Sequence, residues 1–181
     1  MIKSISVIIP SYNEEENIKE LYERIIKVLD EININDYEII FIENGSSDKS
    51  LDLLKNINSL NNKVKIVSFS RNFGYQNAIL AGLEYSKKDH ACILDGDLQD
   101  PPEIIKDLVL KADDGFDVVY GVRKKREATF FKKIGYKLFY FVYQKLSEIS
   151  VPKEVGEFCL LNRKVINHLI KLREKNLFIR G

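Results

Sequence analysis

Short β-branched runs alternate with amphipathic stretches along most of this chain, and that alternation limits its fold more than any other feature. Residues 5–9, 38–42, 64–69, 91–94 and 118–120 read as strands. Between them, 14–29, 51–57, 77–85 and 103–112 read as helices, and in the first of these Ile18, Leu21, Ile25, Ile26 and Leu29 form a one-sided stripe. Asn13 and Glu16 have capping-box spacing at its start, and Asp100, Pro101 and Glu103 form a similar start for the last helix. Apolar strands joined through helices require right-handed crossovers. The expected product is an α/β domain with a Rossmann-like, mostly parallel sheet and helices on both faces. A chain of 181 residues, 45% hydrophobic and 30% charged, suffices for one such domain.

Ligands of such sheets bind beyond the carboxyl ends of the strands. Those ends carry Pro10-Ser11-Tyr12-Asn13-Glu14, Glu43-Asn44-Gly45-Ser46-Ser47-Asp48, Ser70-Arg71-Asn72-Phe73-Gly74 and Asp95-Gly96-Asp97-Leu98-Gln99. If the chain stays extended past Leu94, Asp95, Asp97 and Gln99 project to one side, because strand side chains repeat every second residue. Two carboxylates and an amide would then converge on a point suited to Mg²⁺ or Mn²⁺, hard cations that share oxygen ligands with substrate phosphates. Neither G-x-G-x-x-G nor G-x-x-x-x-G-K-[ST] occurs. A cation, not a glycine loop, is therefore expected to hold a diphosphate. A receiver-type signalling domain also places an aspartate at a strand end, but it gives no reason for Tyr12, Arg71 or the Asp97 and Gln99 pair.

Charge is unevenly spread. Residues 1–120 hold 13 Lys and Arg against 22 Asp and Glu, whereas residues 121–181 hold 15 against 5. Such asymmetry points to a polyanionic partner for the C-terminal third, a membrane surface or nucleic acid. No helix-turn-helix, RNP or zinc pattern supports nucleic acid. Residues 130–146 interleave Phe130, Phe131, Ile134, Leu138, Phe139, Phe141, Val142 and Leu146 with Lys132, Lys133, Lys137 and Lys145. That pattern suits a membrane interface, core packing or the subunit contact of a homo-oligomer. Cys92 and Cys159 lie far apart in apolar runs and read as small buried hydrophobes of a reducing compartment. No apolar run approaches the roughly 20 residues that span a bilayer, and no signal-peptide layout opens the chain.

Val7-Ile8-Ile9-Pro10-Ser11-Tyr12-Asn13-Glu14-Glu15-Glu16-Asn17-Ile18 resembles the opening of family 2 glycosyltransferases, and Glu43-Asn44-Gly45-Ser46-Ser47-Asp48 resembles their acidic-Gly-Ser motif. Ser70-Arg71-Asn72-Phe73-Gly74 and Asp95-Gly96-Asp97-Leu98-Gln99-Asp100-Pro101-Pro102-Glu103 resemble, more narrowly, the branch that transfers sugar to a polyprenyl phosphate. That branch includes dolichol-phosphate mannosyltransferases and bactoprenol glucosyltransferases. The similarity continues through Val119-Tyr120-Gly121-Val122-Arg123, Val155-Gly156-Glu157-Phe158 and Asn176-Leu177-Phe178-Ile179-Arg180-Gly181.

The resemblance implies a single catalytic domain over residues 1–181 with the GT-A fold of nucleotide-diphospho-sugar transferases, lacking the C-terminal membrane helices of relatives. It implies an inverting, metal-dependent transfer from a UDP- or GDP-linked sugar to undecaprenyl or dolichyl phosphate, for cell-surface glycan synthesis. The expected location is cytoplasmic, peripheral at the inner face of the membrane. Asp95, Asp97 and Gln99 would hold Mg²⁺ or Mn²⁺ against the diphosphate, with Asp97 at the reaction centre. Pro10, Tyr12, Glu14, Glu43 and Arg71, with Asp95, would surround the nucleotide. Arg123 would grip the acceptor phosphate bidentately. Glu157 would act as base or orienter; a phosphate monoester with a second pKa of about 6 is already largely an oxyanion at neutral pH, which favours orientation.

Residue chemistry leaves Glu14 either a ribose acceptor or a first-turn acid favoured by the helix dipole, and Tyr12 either a base-stacking face or packing under the sheet edge. Two departures from the family pattern stand out. Glu43-Asn44 replaces the usual Asp-Asp or Asn-Asp, and Gly156-Glu157-Phe158-Cys159 replaces Gly-Asp-Phe-Arg. A family 2 enzyme with a saccharide acceptor is one alternative, since it would need neither Arg123 nor the aromatic segment. A catalytically silent nucleotide-sugar-binding module is the other.

Overall fold

The computed structural model describes residues 2–122 and 155–172, with backbone alone at 155–157. Arg123, the 130–146 segment, the 176–181 motif and the Glu157 side chain lie outside the described residues. The strands are β1 (Ser4–Ser11), β2 (Asp36–Glu43), β3 (Val64–Ser68), β4 (His90–Ile93), β5 (Val118–Val122) and β6 (Val155–Asn162). The helices are α1 (Ile18–Glu31), α2 (Ser50–Leu60), α3 (Tyr75–Tyr85), α4 (Ile105–Asp113), entered through a 3₁₀ turn at Pro102–Ile104, and α5 (Arg163–Lys171).

One six-stranded sheet runs in the order β3-β2-β1-β4-β6-β5. The β3, β2, β1 and β4 strands are parallel, as the alternation predicts. β6 enters between β4 and β5 and runs antiparallel to both. Sequence patterning did not single out this strand. Its Phe158-Cys159-Leu160-Leu161 run is short and lacks β-branched residues, so only its pairing partners identify it.

Side chains alternate strictly between the two faces. Ile5, Val7, Ile9, Phe41, Cys92 and Leu160 pack with α1, α2 and α4, whereas Ile8, Ile40, Ile93, Cys159 and Leu161 pack with α3 and α5. Both faces are covered, which is why β1 is buried along its whole length. The two cysteines lie on opposite faces and remain free. At Gly82, α3 rests directly on β1: an added Cβ would stand 2.2 Å from Ile8 Cγ2.

Two predicted helix starts are built differently. α1 begins at Ile18, and Asn13, at φ 57°, instead accepts a 2.8 Å hydrogen bond from Ser47 N. Glu103 closes no capping box. Its carboxylate accepts from Arg24 Nε at 2.9 Å and Nη2 at 2.6 Å, which holds its pKa below the ordinary range and ties α1 to the 3₁₀ turn. In both cases a long-range polar partner outcompetes the local cap.

Candidate active site

A cleft of about 330 Å³ opens at the carboxyl edge of the parallel strands, where such folds place their ligands. Its wall is contributed by the ends of β1, β2 and β4 and by the start of α3. Pro10, Tyr12, Glu14, Asp95 and Asp97, all singled out from sequence, line it. Tyr12 is 45% exposed, so its ring is available to a planar ligand and is not packed under the sheet edge.

Strand extension does not bring the acids together. β4 ends at Ile93, Gly96 and Asp97 form a turn, and Leu98 sits in the left-handed region at φ 58°. The alternate-residue geometry is thereby corrected: Asp95 and Asp97 share the cleft, while Gln99 is exposed and stands outside its lining. Gln99 contributes its backbone, whose N–H donates to Asp97 Oδ1 at 3.0 Å. Gly96 fits under this turn because a Cβ there would come within 3.0 Å of Pro10 O.

Glu43 lies behind the cleft. It is 2% exposed, and its carboxylate oxygens accept from Ser46 N at 2.5 Å and Ser68 Oγ at 2.9 Å. Its neighbour Asn44 is the residue that lines the cavity. Asn44 N donates to Ser11 O at 2.9 Å and its side-chain Oδ1 accepts from Phe73 N at 2.9 Å, so this one residue ties the end of β1 and the loop before α3 to the loop after β2. Gly45, at φ 75°, lets the loop pass Arg71, whose backbone a Cβ would strike at 2.5 Å. Arg71 itself is exposed, outside the lining, with its guanidinium 4.2 Å above the Phe73 ring.

Hydrogen bonds between the 13–15 and 46–50 loops hold the first wall. Asn13 N donates to Ser46 Oγ at 3.0 Å, Glu14 N to Ser50 Oγ at 2.9 Å and Glu15 N to Asp48 Oδ2 at 3.1 Å. Burial acts to raise the Asp48 pKa, but hydrogen bonds from Ser50 and Glu15 outweigh it and the net direction is down. The Glu14 carboxylate, held by a 2.7 Å hydrogen bond from Asn17 Nδ2, therefore has a fixed base.

No lysine or arginine lines the cleft among the described residues, and three carboxylates do. A cation beside these carboxylates would offset their repulsion of a diphosphate. Among the described residues no cluster of three or more His, Cys, Asp or Glu forms an all-protein metal cage. Mg²⁺ and Mn²⁺ do not require such a cage, since they commonly take one or two carboxylates and complete their shell with phosphate and water. Ser11 Oγ adds a second sign that this wall expects a ligand, being buried in the lining without a hydrogen-bond partner. The residues present fit the metal.

Ser11, Asn44, Asn72, Tyr75 and Gly96 complete the lining without having been singled out as site residues. Four of them lie inside the strand-end motifs, so their place in the motif was the available signal. Tyr75 follows directly on Gly74.

The mixed six-stranded sheet with a cleft at its carboxyl edge is the GT-A fold, and solved structures share it. The mannosyltransferase PcManGT of Pyrobaculum calidifontis, in complex with GDP-Man and Mn²⁺, matches at TM-score 0.63 with 18% identity over 91% of this chain and 46% of its own. Glucosyl-3-phosphoglycerate synthase from Mycobacterium tuberculosis, in complex with Mn²⁺, UDP and phosphoglyceric acid, matches at TM-score 0.62 with 18% identity over 90% of this chain and 57% of its own. Residues 6–170 match the model of glycosyl transferase family 2. The chain belongs to that family. It is 43% identical over 177 residues to the uncharacterised glycosyltransferase YkcC of Bacillus subtilis (97% of this chain, 54% of the relative). It is 37% identical over 183 residues to undecaprenyl-phosphate 4-deoxy-4-formamido-L-arabinose transferase of an Enterobacter species (98% and 54%). The chain thus spans about half the length of the curated relatives it matches.

Proposed function

We propose that this chain transfers a sugar from a nucleoside diphosphate donor to a polyprenyl phosphate, with inversion and with Mg²⁺ or Mn²⁺ in the cleft. One observation carries the reading: Asp95 and Asp97 share a cleft that has no basic side chain in its described wall. The Enterobacter relative, named for an undecaprenyl-phosphate acceptor, supports the lipid, and the Mn²⁺ complexes of the structural neighbours support the metal.

Asp95 and Asp97 would hold the cation, which supplies charge stabilisation to the departing nucleoside diphosphate. The exposed Tyr12 ring offers a stacking face to the base, and the Glu14 carboxylate offers an acceptor to a ribose hydroxyl. Glu43 shapes the loop that presents Asn44, so Asn44 is the nearer candidate for a base contact. Arg123 is assigned to the acceptor phosphate, and Glu157 to orienting an oxyanion that needs little help to deprotonate. The aromatic and basic 130–146 segment is assigned to the inner membrane surface, where the acceptor resides. Among the described residues no helix is long and apolar enough to cross a membrane.

The test is a thermal-shift panel of UDP- and GDP-linked sugars with and without Mn²⁺, followed by transfer of the stabilising donor to undecaprenyl phosphate in vesicles. Metal-dependent stabilisation by one donor and formation of lipid-linked sugar are expected. Stabilisation with transfer only to a saccharide overturns the acceptor, and stabilisation without any turnover overturns the reaction.

A further inference from the structure

We propose that Tyr75 is a positioning residue for this cleft: its phenol holds the Asp95 carboxylate in the orientation that meets a divalent cation. The inference rests on the metal-diphosphate reading of the site and adds a residue that reading does not use.

Tyr75 is the first residue of α3 and lines the cleft, and its hydroxyl donates to Asp95 Oδ1. The start of the helix is fixed around it. Gly74, at φ 90°, makes the turn, Gly74 N donates to Asn72 Oδ1 at 2.8 Å and Asn77 Nδ2 donates to Phe73 O at 2.7 Å. The Tyr75 ring packs against the core layer that holds Ile8, Ile40 and Ile93, so the hydroxyl is carried by a stiff, anchored lever.

Asp95 stands where the strand gives way to a turn: Leu94 N donates to Ile8 O at 2.9 Å, and the turn begins at Gly96. A neutral donor on one carboxylate oxygen leaves the charge in place and fixes the plane of the group, which is how outer partners orient metal ligands; losing one typically costs about 10- to 100-fold in metal affinity. Phenylalanine would supply the same packing, so the hydroxyl is the part that core formation does not explain.

The test compares wild type with Tyr75→Phe. Mn²⁺ is titrated into each protein with saturating UDP or GDP, and the free ion is followed by its paramagnetic resonance signal. Nucleotide binding without metal and the unfolding midpoint of the unliganded chain are measured alongside. Tyr75→Phe should weaken Mn²⁺ binding about tenfold or more, with the metal-free measurements close to wild type. Mn²⁺ affinity within twofold of wild type overturns the role, as does an equal weakening of nucleotide binding with and without metal. Wild type that takes up no Mn²⁺ with either nucleotide overturns the reading of the cleft itself.

Discussion

Asp95 and Asp97 illustrate how far single residues carry the argument. Their side chains share a wall with Glu14; Asp95 accepts a hydrogen bond from Tyr75 OH and Asp97 one from Gln99 N. Asparagine at either position keeps an acceptor for that hydrogen bond and removes the charge that a cation needs. Asp95→Asn and Asp97→Asn should therefore leave the unfolding midpoint of the unliganded protein nearly unchanged and abolish the extra stabilisation that nucleoside diphosphate gains from Mn²⁺. At a hundred times the Kd measured with Mn²⁺, bound nucleotide stabilises wild type by about 2.7 kcal/mol in total, large enough to read by thermal shift. Metal-dependent stabilisation that persists in both variants removes these residues from the metal site. That the two acids would meet at the carboxyl edge of the sheet was legible in the sequence, because they follow directly on a strand. Their geometry was not, since it depends on a left-handed Leu98 and on a glycine fitted under Pro10 O.

Between elements, the parallel half of the sheet was readable because β1, β2 and β4 are covered on both faces and their apolar runs carry that burial in composition. β6 was not readable, because its place between β4 and β5 is set by partners distant in sequence. Nor did the pattern expose Glu38, a charge inside β2 that is only 2% exposed. Glu38 Oε1 accepts from Ser6 Oγ at 2.6 Å and Lys87 N at 2.6 Å, and Oε2 pairs with Lys65 Nζ. One carboxylate thereby joins β1, β2, β3 and the turn before β4. Burial acts to raise its pKa, but the hydrogen bonds from Lys65, Ser6 and Lys87 together outweigh burial and the net direction is down. A folded pKa below the unfolded value of about 4.3 means that its stabilisation is fully present above that pH and is lost as pH falls through the folded value. Glu38→Gln should cost about 2 kcal/mol at pH 7, discounted from a fully buried pair because Lys65 is partly exposed. It should also flatten the loss of stability on acidification. Urea unfolding at pH 7 and across the acid range measures both, and an unchanged acid slope would show that other carboxylates set it.

At the scale of the whole molecule the two parts of the chain carry opposite charge, 22 acids against 13 bases up to residue 120 and 15 bases against 5 acids beyond it. The acidic part contains the cleft proposed to take a cation, whereas the proposed polyprenyl acceptor would stay in the bilayer and be approached at its surface. A basic, aromatic C-terminal third would meet that surface with a contribution of about 1 kcal/mol for each basic residue close to anionic lipid. Aromatic insertion adds an apolar component that salt does not screen. The two components predict distinct behaviour. The chain should sediment with phosphatidylglycerol vesicles in dilute buffer and much less with neutral phosphatidylcholine. Near 1 M salt, where the screening length shrinks to about 3 Å, the binding should fall toward the neutral level. Exchanging Lys132, Lys133, Lys137 and Lys145 for glutamine should lower anionic-vesicle binding while leaving nucleotide-dependent stabilisation in place, because the proposed nucleotide site draws on residues 10–97. Equal partitioning to anionic and neutral vesicles at every salt concentration would assign the aromatic segment to packing within the protein. The lipid acceptor would then need another route to the cleft.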